Sequence, residues 1–104
     1  MIRVSYKGRL GNNLFQYAMG RILAKRYGYR LDATPIEGFV NTEEEIDGDV
    51  SMTPTKNLRY NHVKMDRLDG YVEKNKGLFI CLKGTFSHYP HYSEHKDEIR
   101  EWFR

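Results

Sequence analysis

Lys7-Gly8-Arg9-Leu10-Gly11-Asn12-Asn13-Leu14-Phe15-Gln16-Tyr17-Ala18 decides the fold of this chain. The segment before it, Ile2-Arg3-Val4-Ser5-Tyr6, alternates apolar and polar residues and reads as a strand. Gly8 and Gly11 end that strand, because glycine tolerates the backbone angles of a tight turn. Asn12 or Asn13 then supplies an N-cap, and a helix is predicted from Asn13 to Tyr27. A strand-to-helix turn of this kind points free backbone N–H groups at whatever lies beyond the helix start, which suits anions and polar ligands.

Within the predicted helix Leu14, Phe15, Ala18, Met19, Ile22 and Leu23 make a wide apolar stripe. Arg21, Lys25 and Arg26 fall at or beyond its edges, the last two where the helix dipole favours cations. Gly28 is a natural C-terminal stop. Gln16, Gly20 and Ala24 recur on another face; a glycine inside a helix costs about 1 kcal/mol against alanine, so Gly20 predicts close approach of a neighbour. Tyr29-Arg30-Leu31-Asp32-Ala33 alternates again and reads as a second strand. Strand, helix and strand in succession form a βαβ unit. The fold class is therefore α/β, opening on a parallel sheet with a right-handed crossover.

The chain's 104 residues amount to a single α/β domain or part of one, with a small core. A net charge of +3 is compatible with phosphate ligands and does not require nucleic acid. A pI near 9.0 and 13% aromatic residues leave an RNA-binding reading open, but no RNP-like motif supports it. With one cysteine there is no internal disulfide, and no apolar run reaches the length of a membrane span. Arg3, Lys7 and Arg9 interrupt any signal-peptide core, so a cytoplasmic location is expected.

From Thr34 to about Asn61 the pattern is lost. The acidic run Glu43-Glu44-Glu45 with Asp47 and Asp49 reads as a solvated loop containing one short helical turn. His62-Val63-Lys64-Met65 allows a short strand. The apolar run Leu78-Phe79-Ile80-Cys81-Leu82, set between glycines, reads as a strand buried on both faces, with Cys81 an inert core residue. A polar, aromatic loop follows, and then a last helix capped by Ser93 with Ile99, Trp102 and Phe103 on its apolar face. Large apolar residues this close to a helix end call for a cover, either a further lobe or a partner. His88, His91 and His95 are spaced three and four apart, but Pro90 and the Ser93 cap break any continuous helix through them, so no metal site is assigned.

Standard nucleotide motifs do not fit. Gly8-x-x-Gly11 is not a dinucleotide fingerprint, and no Lys-Ser or Lys-Thr follows a glycine loop. Gly8 to Ala18 resembles instead the N-terminal signature of the family 11 glycosyltransferases, approximately G-[GR]-L-G-N-Q-[ML]-F-Q-Y-A. Asn13 stands where that family has Gln. A weaker match covers Leu82-Lys83-Gly84-Thr85-Phe86 and Asp97-Glu98-Ile99-Arg100, with Ser87-His88-Tyr89 replacing the family's Gln-Ser-Glu.

The resemblance implies the N-terminal, Rossmann-like lobe of a two-lobed GT-B enzyme. Such an enzyme transfers fucose from GDP-fucose, its donor substrate, to the 2-hydroxyl of a galactoside, without a metal requirement. It implies Arg9, Gly11, Asn12 and Asn13 as substrate-binding residues lining a cleft between lobes, with His88 and Tyr89 touching acceptor or donor. The family's H-x-R-x-G-D-Y donor motif, whose Arg holds the diphosphate, does not occur in this chain. No catalytic residue is assigned here, and transfer by this chain alone is not expected. The competing expectation is a truncated or divergent, non-catalytic domain that binds a sugar or nucleotide, or that docks a partner through Trp102 and Phe103.

Overall fold

The computed structural model of the chain describes residues 1–50, 55–58, 65–75, 79–84, 86 and 92–104. Strand β1 (Ile2–Ser5) leads into helix α1 (Leu10–Tyr27), and α1 returns to strand β2 (Leu31–Asp32). A 3-10 turn (Val40–Glu43) precedes strand β3 (Thr55–Leu58), helix α2 (Met65–Lys74) and strand β4 (Phe79–Lys83). The chain closes with a 3-10 turn (Ser93–His95) running into helix α3 (Lys96–Trp102). The four strands form one sheet in the order β2-β1-β4-β3, and every pairing is parallel. The predicted βαβ unit and parallel sheet are thus present. Their likeness to a Rossmann-like GT-B lobe is a finer statement than this topology carries.

Alternation on β1 decides which face is covered. Ile2 and Val4 are buried, while Arg3 and Ser5 on the opposite face are exposed. Val4 meets α1 at Gly20: a Cβ built there would lie 2.4 Å from Val4 Cγ2 and 3.2 Å from Leu31 Cδ1. The predicted close approach is real, and it lets the helix backbone rest on the sheet. Strand β4 buries Phe79, Ile80, Cys81 and Leu82 in succession, as its unbroken apolar run predicts for a central parallel strand. Gly28 stops α1 in the left-handed conformation (φ 71°), its N–H bonded to the Ala24 carbonyl.

Several expectations are corrected. α1 begins at Leu10, not Asn13, with Arg9 in the N-cap position, so Gly11, Asn12 and Asn13 belong to the helix's opening turns. Neither Asn caps it; the Asn13 N–H already donates to the Arg9 carbonyl at 3.1 Å. β2 is shorter than the alternation of Tyr29–Ala33 suggests. The segment after the 3-10 turn runs beside it, with Ile46 and Asp49 carbonyls accepting from Leu31 and Arg30 N–H. β3 rises from a stretch with no pattern to predict it, whereas α2 goes unpredicted although Met65, Leu68, Tyr71 and Val72 recur at helical spacing. His62-Val63-Lys64, read as a short strand, lies outside the described residues, and Met65 opens α2. Ser93 does not cap α3; it starts the preceding 3-10 turn, and His95 occupies the cap position.

Arg21 is the largest correction on α1. Predicted at the edge of the apolar stripe, it is 2% exposed. Its guanidinium donates to the Tyr17 hydroxyl at 3.0 Å and the Asn41 carbonyl at 3.1 Å, pairs with Glu44, and stacks 4.6 Å over the Trp102 ring. Trp102 is consequently 5% exposed, and Phe103 packs edge-on against Tyr17 and Phe39. The chain's own α1 and the loop before β3 thus cover Trp102, and leave Phe103 half-buried. The acidic run is likewise tied back, Glu45 and Asp47 to Arg30, although both carboxylates remain largely in solvent. Among the described residues no helix is long and apolar enough to cross a membrane.

Candidate functional site

The carboxyl edge of a parallel sheet is where open α/β folds receive ligands. Here that edge holds the turn from Tyr6 to Arg9, the first turn of α1, the segment after β2 and the loop after β4. Gly8 has φ +84°, a left-handed angle that glycine adopts without strain. A Cβ on it would also meet Asn12 Nδ2 at 2.6 Å, so the Asn12 amide folds back over the turn. Gly8 is therefore required twice.

Gly11 contrasts with it. Its φ is not left-handed, and nothing lies within 4 Å of where a Cβ would stand. Turn geometry was the expected reason for this glycine, and it does not apply. A glycine in the first helical turn forfeits helix stability without any packing return. The N-terminus it belongs to is bare: Arg9 makes no side-chain cap and the first turn carries no acidic residue. The opening N–H groups of α1 have no intrahelical partners and no side-chain cap, and the space beside Gly11 is open.

Asn13 points elsewhere. It lines a cavity of about 460 Å³ with Tyr6, Leu10 and the segment Thr34–Glu37, between the ends of β1 and β2. Its Oδ1 is buried without a hydrogen-bond partner. The Tyr6 hydroxyl donates to the Thr34 carbonyl at 2.8 Å across this cavity, and burial raises its pKa well above the ordinary tyrosine range. A second hollow of about 480 Å³ lies beside β2 between Arg3, Arg30 and Glu43–Glu45. Both of its arginines are already paired, Arg3 with Asp32 at 2.7 Å and Arg30 with Glu45 and Asp47.

Of the substrate-binding residues expected from the sequence, Arg9, Gly11, Asn12 and Asn13 come together at the start of α1. Asn12 and Asn13 diverge, one over the turn and one into the cavity. His88 and Tyr89 lie outside the described residues. His95 is held between α1 and α3, its Nε2 3.3 Å from Arg26 Nη2 and its Nδ1 3.3 Å from Glu98 Oε1. Among the described residues no group of three His, Cys, Asp or Glu side chains could hold a metal ion.

One residue of the site was not singled out for it from sequence. Gln16 is 1% exposed, and its amide reaches across to two loops. Its Oε1 accepts from the Lys7 N–H at 3.1 Å, while Nε2 donates to the carbonyls of Lys7 at 3.1 Å and Gly84 at 2.8 Å. The signal was present: a polar residue on the same face as Gly20 and Ala24 must be buried, and a buried amide needs partners. No family model matches the chain, and neither a curated protein nor a solved structure is found to match it.

Proposed function

We propose that the Gly8–Asn13 turn is half of a sugar-nucleotide site of the fucosyltransferase kind, and that the chain is the N-terminal part of such a protein. The observation carrying this reading is Gly11, a helix glycine with no conformational or packing reason, standing beside an uncapped helix N-terminus. Such a glycine makes sense where a ligand must approach the backbone closely. In this reading the opening N–H groups of α1 and the Asn12 amide meet the donor, GDP-fucose, and Arg9 adds positive charge. The reaction is a single inverting displacement: an acceptor hydroxyl of a galactoside attacks fucose C1 as the bond to the GDP oxygen breaks. The departing diphosphate needs charge stabilisation. An Arg outside this chain supplies it, so the chain alone does not transfer fucose.

The alternative, a non-catalytic domain that binds a sugar or nucleotide or docks a partner, drew its docking surface from Trp102 and Phe103; Trp102 is buried within the chain and Phe103 is half-buried against Tyr17 and Phe39. The test is a titration of GDP-fucose and GDP followed at the backbone amides of Leu10–Asn13. Weak, saturable shifts confined to that turn and weakened by Gly11→Ala are expected. Shifts located elsewhere, or a Gly11→Ala variant that binds as the unaltered chain does, would sink the reading.

A further inference from the structure

In the strand order β2-β1-β4-β3 the chain leaves β1 for one side of the sheet and comes back to β4 on the other. The crevice where an open α/β sheet takes its ligand lies at such a reversal, between the carboxyl ends of β1 and β4. Here it is filled from within. The last paired residues of the two strands are Ser5 and Lys83, and just past them the Gln16 amide sits between the Lys7 and Gly84 backbones. It accepts from one N–H and donates to two carbonyls, much as a further residue of the ladder would. Only one amide orientation satisfies all three bonds, because an oxygen must face the N–H and a nitrogen the carbonyls.

The loop after β4 is held from a second direction. Phe86 is buried in the left-handed region (φ 50°), a conformation that bulky residues seldom adopt. Its carbonyl accepts from the Tyr92 hydroxyl, which lies 3.2 Å from the Phe15 carbonyl as well. Gln16 therefore anchors Gly84, and Tyr92, its ring packed on Phe15, anchors Phe86.

We propose that Gln16 is the positioning residue of the site: its amide locks the β1–α1 turn to Gly84 at the end of β4, so the two move as one unit. With the β1–β4 crevice closed by this amide, ligand access lies over Gly11 and on the Asn13 side of the turn. That the locked unit serves a ligand rests on the sugar-nucleotide reading; the lock itself does not.

Hydrogen exchange of the full chain tests the lock. In Gln16→Met, which keeps the length and removes both hydrogen-bonding functions, the Lys7 amide exchanges roughly tenfold faster or more, while the Leu23 and Ala24 amides stay within about twofold. In Gln16→Glu an ionised carboxylate faces the Lys7 and Gly84 carbonyls, whereas the protonated acid can still donate to one of them. The Lys7 and Gly8 amide resonances of this variant then follow one carboxyl titration, released as pH rises, that the unaltered chain lacks.

An unchanged Lys7 rate in Gln16→Met, an equal loss of protection throughout α1, or a pH-insensitive Gln16→Glu overturns the proposal. So does failure of both variants to fold, since a positioning residue is dispensable for the fold. GDP-fucose titration separates the two readings. Shifts at Leu10–Asn13 that vanish in Gln16→Met support both, whereas no shifts in the unaltered chain alongside the expected Lys7 behaviour removes the sugar-nucleotide reading and leaves the lock standing.

Discussion

Replacing either of two glycines of α1 by alanine should give effects of opposite sign. In an average helix the change gains up to about 1 kcal/mol. At Gly20 the new methyl would stand 2.4 Å from Val4 Cγ2 and 3.2 Å from Leu31 Cδ1, against an ordinary carbon contact of about 3.5 to 4.0 Å. Val4 cannot retreat, because β1 is paired on both sides, to β2 and to β4. Overpacking of this kind costs about 1–3 kcal/mol, so after the propensity gain Gly20→Ala should lose about 1–2 kcal/mol. For a domain of this size that is a fall in Tm of roughly 10 °C. At Gly11 the methyl meets nothing within 4 Å, and Gly11→Ala should gain about 0.5 kcal/mol, a rise of about 3 °C. Urea unfolding measures both, through midpoints compared at constant slope. A Gly20→Ala variant as stable as the parent would refute the packing of α1 on β1 described above. A destabilised Gly11→Ala would refute the open first turn, and with it the main support for a ligand there.

Three further outcomes follow from particular contacts. Gly8→Ala should lose about 1–2 kcal/mol from the left-handed angle alone, and more as the Asn12 amide is displaced; urea midpoints again report it. Arg21→Met should cost about 2 kcal/mol by stripping donors from the Tyr17 hydroxyl and the Asn41 carbonyl. Trp102 is the chain's one tryptophan, so its emission should change as the stacked guanidinium is lost; an unchanged spectrum would contradict the stack. Burial raises the pKa values of Tyr6, Tyr17, Tyr27 and Tyr92 above the ordinary tyrosine range. Above pH 10 the unfolded chain therefore releases protons that the native state retains, and stability falls as pH rises. For the well-buried Tyr92 the slope approaches about 1.4 kcal/mol per pH unit. Unfolding midpoints that stay flat from pH 9 to 11 would contradict these burials.

How far the sequence disclosed this molecule depended on which force shaped each element. β1, α1 and β4 were legible because their apolar patterns are set by a sheet covered on a known face. Gly20 and Gly28 were legible because glycine in a helix has few possible reasons. The start of α1 was misplaced because two asparagines advertise a cap that Arg9's extended backbone provides without a side chain. β3 gave no alternation to read, since Thr55-Lys56-Asn57-Leu58 has one apolar residue. Arg21 looked like surface because periodicity counts charge as outward. Burying it depended on Asn41, Glu44 and Trp102, three residues distant in sequence.

The candidate site divides along the same line. Its four residues at the start of α1 were named from one contiguous stretch, and the fold does gather them. What that stretch could not disclose is their differing duties. Gly8 serves the turn, and Asn12 folds over it. Gly11 alone has no structural duty, and Asn13 turns toward β2 with an acceptor left unpaired. Gln16, inside the same stretch, shares a face with Gly20 and Ala24 and so reads from sequence as a buried amide in need of partners; which partners appears only when β4 brings Gly84 within 2.8 Å. A residue's structural occupation subtracts from its claim to bind a ligand. On that criterion Gly11 and Asn13 are the positions where substitution should separate binding from stability, while Gly8 should couple the two.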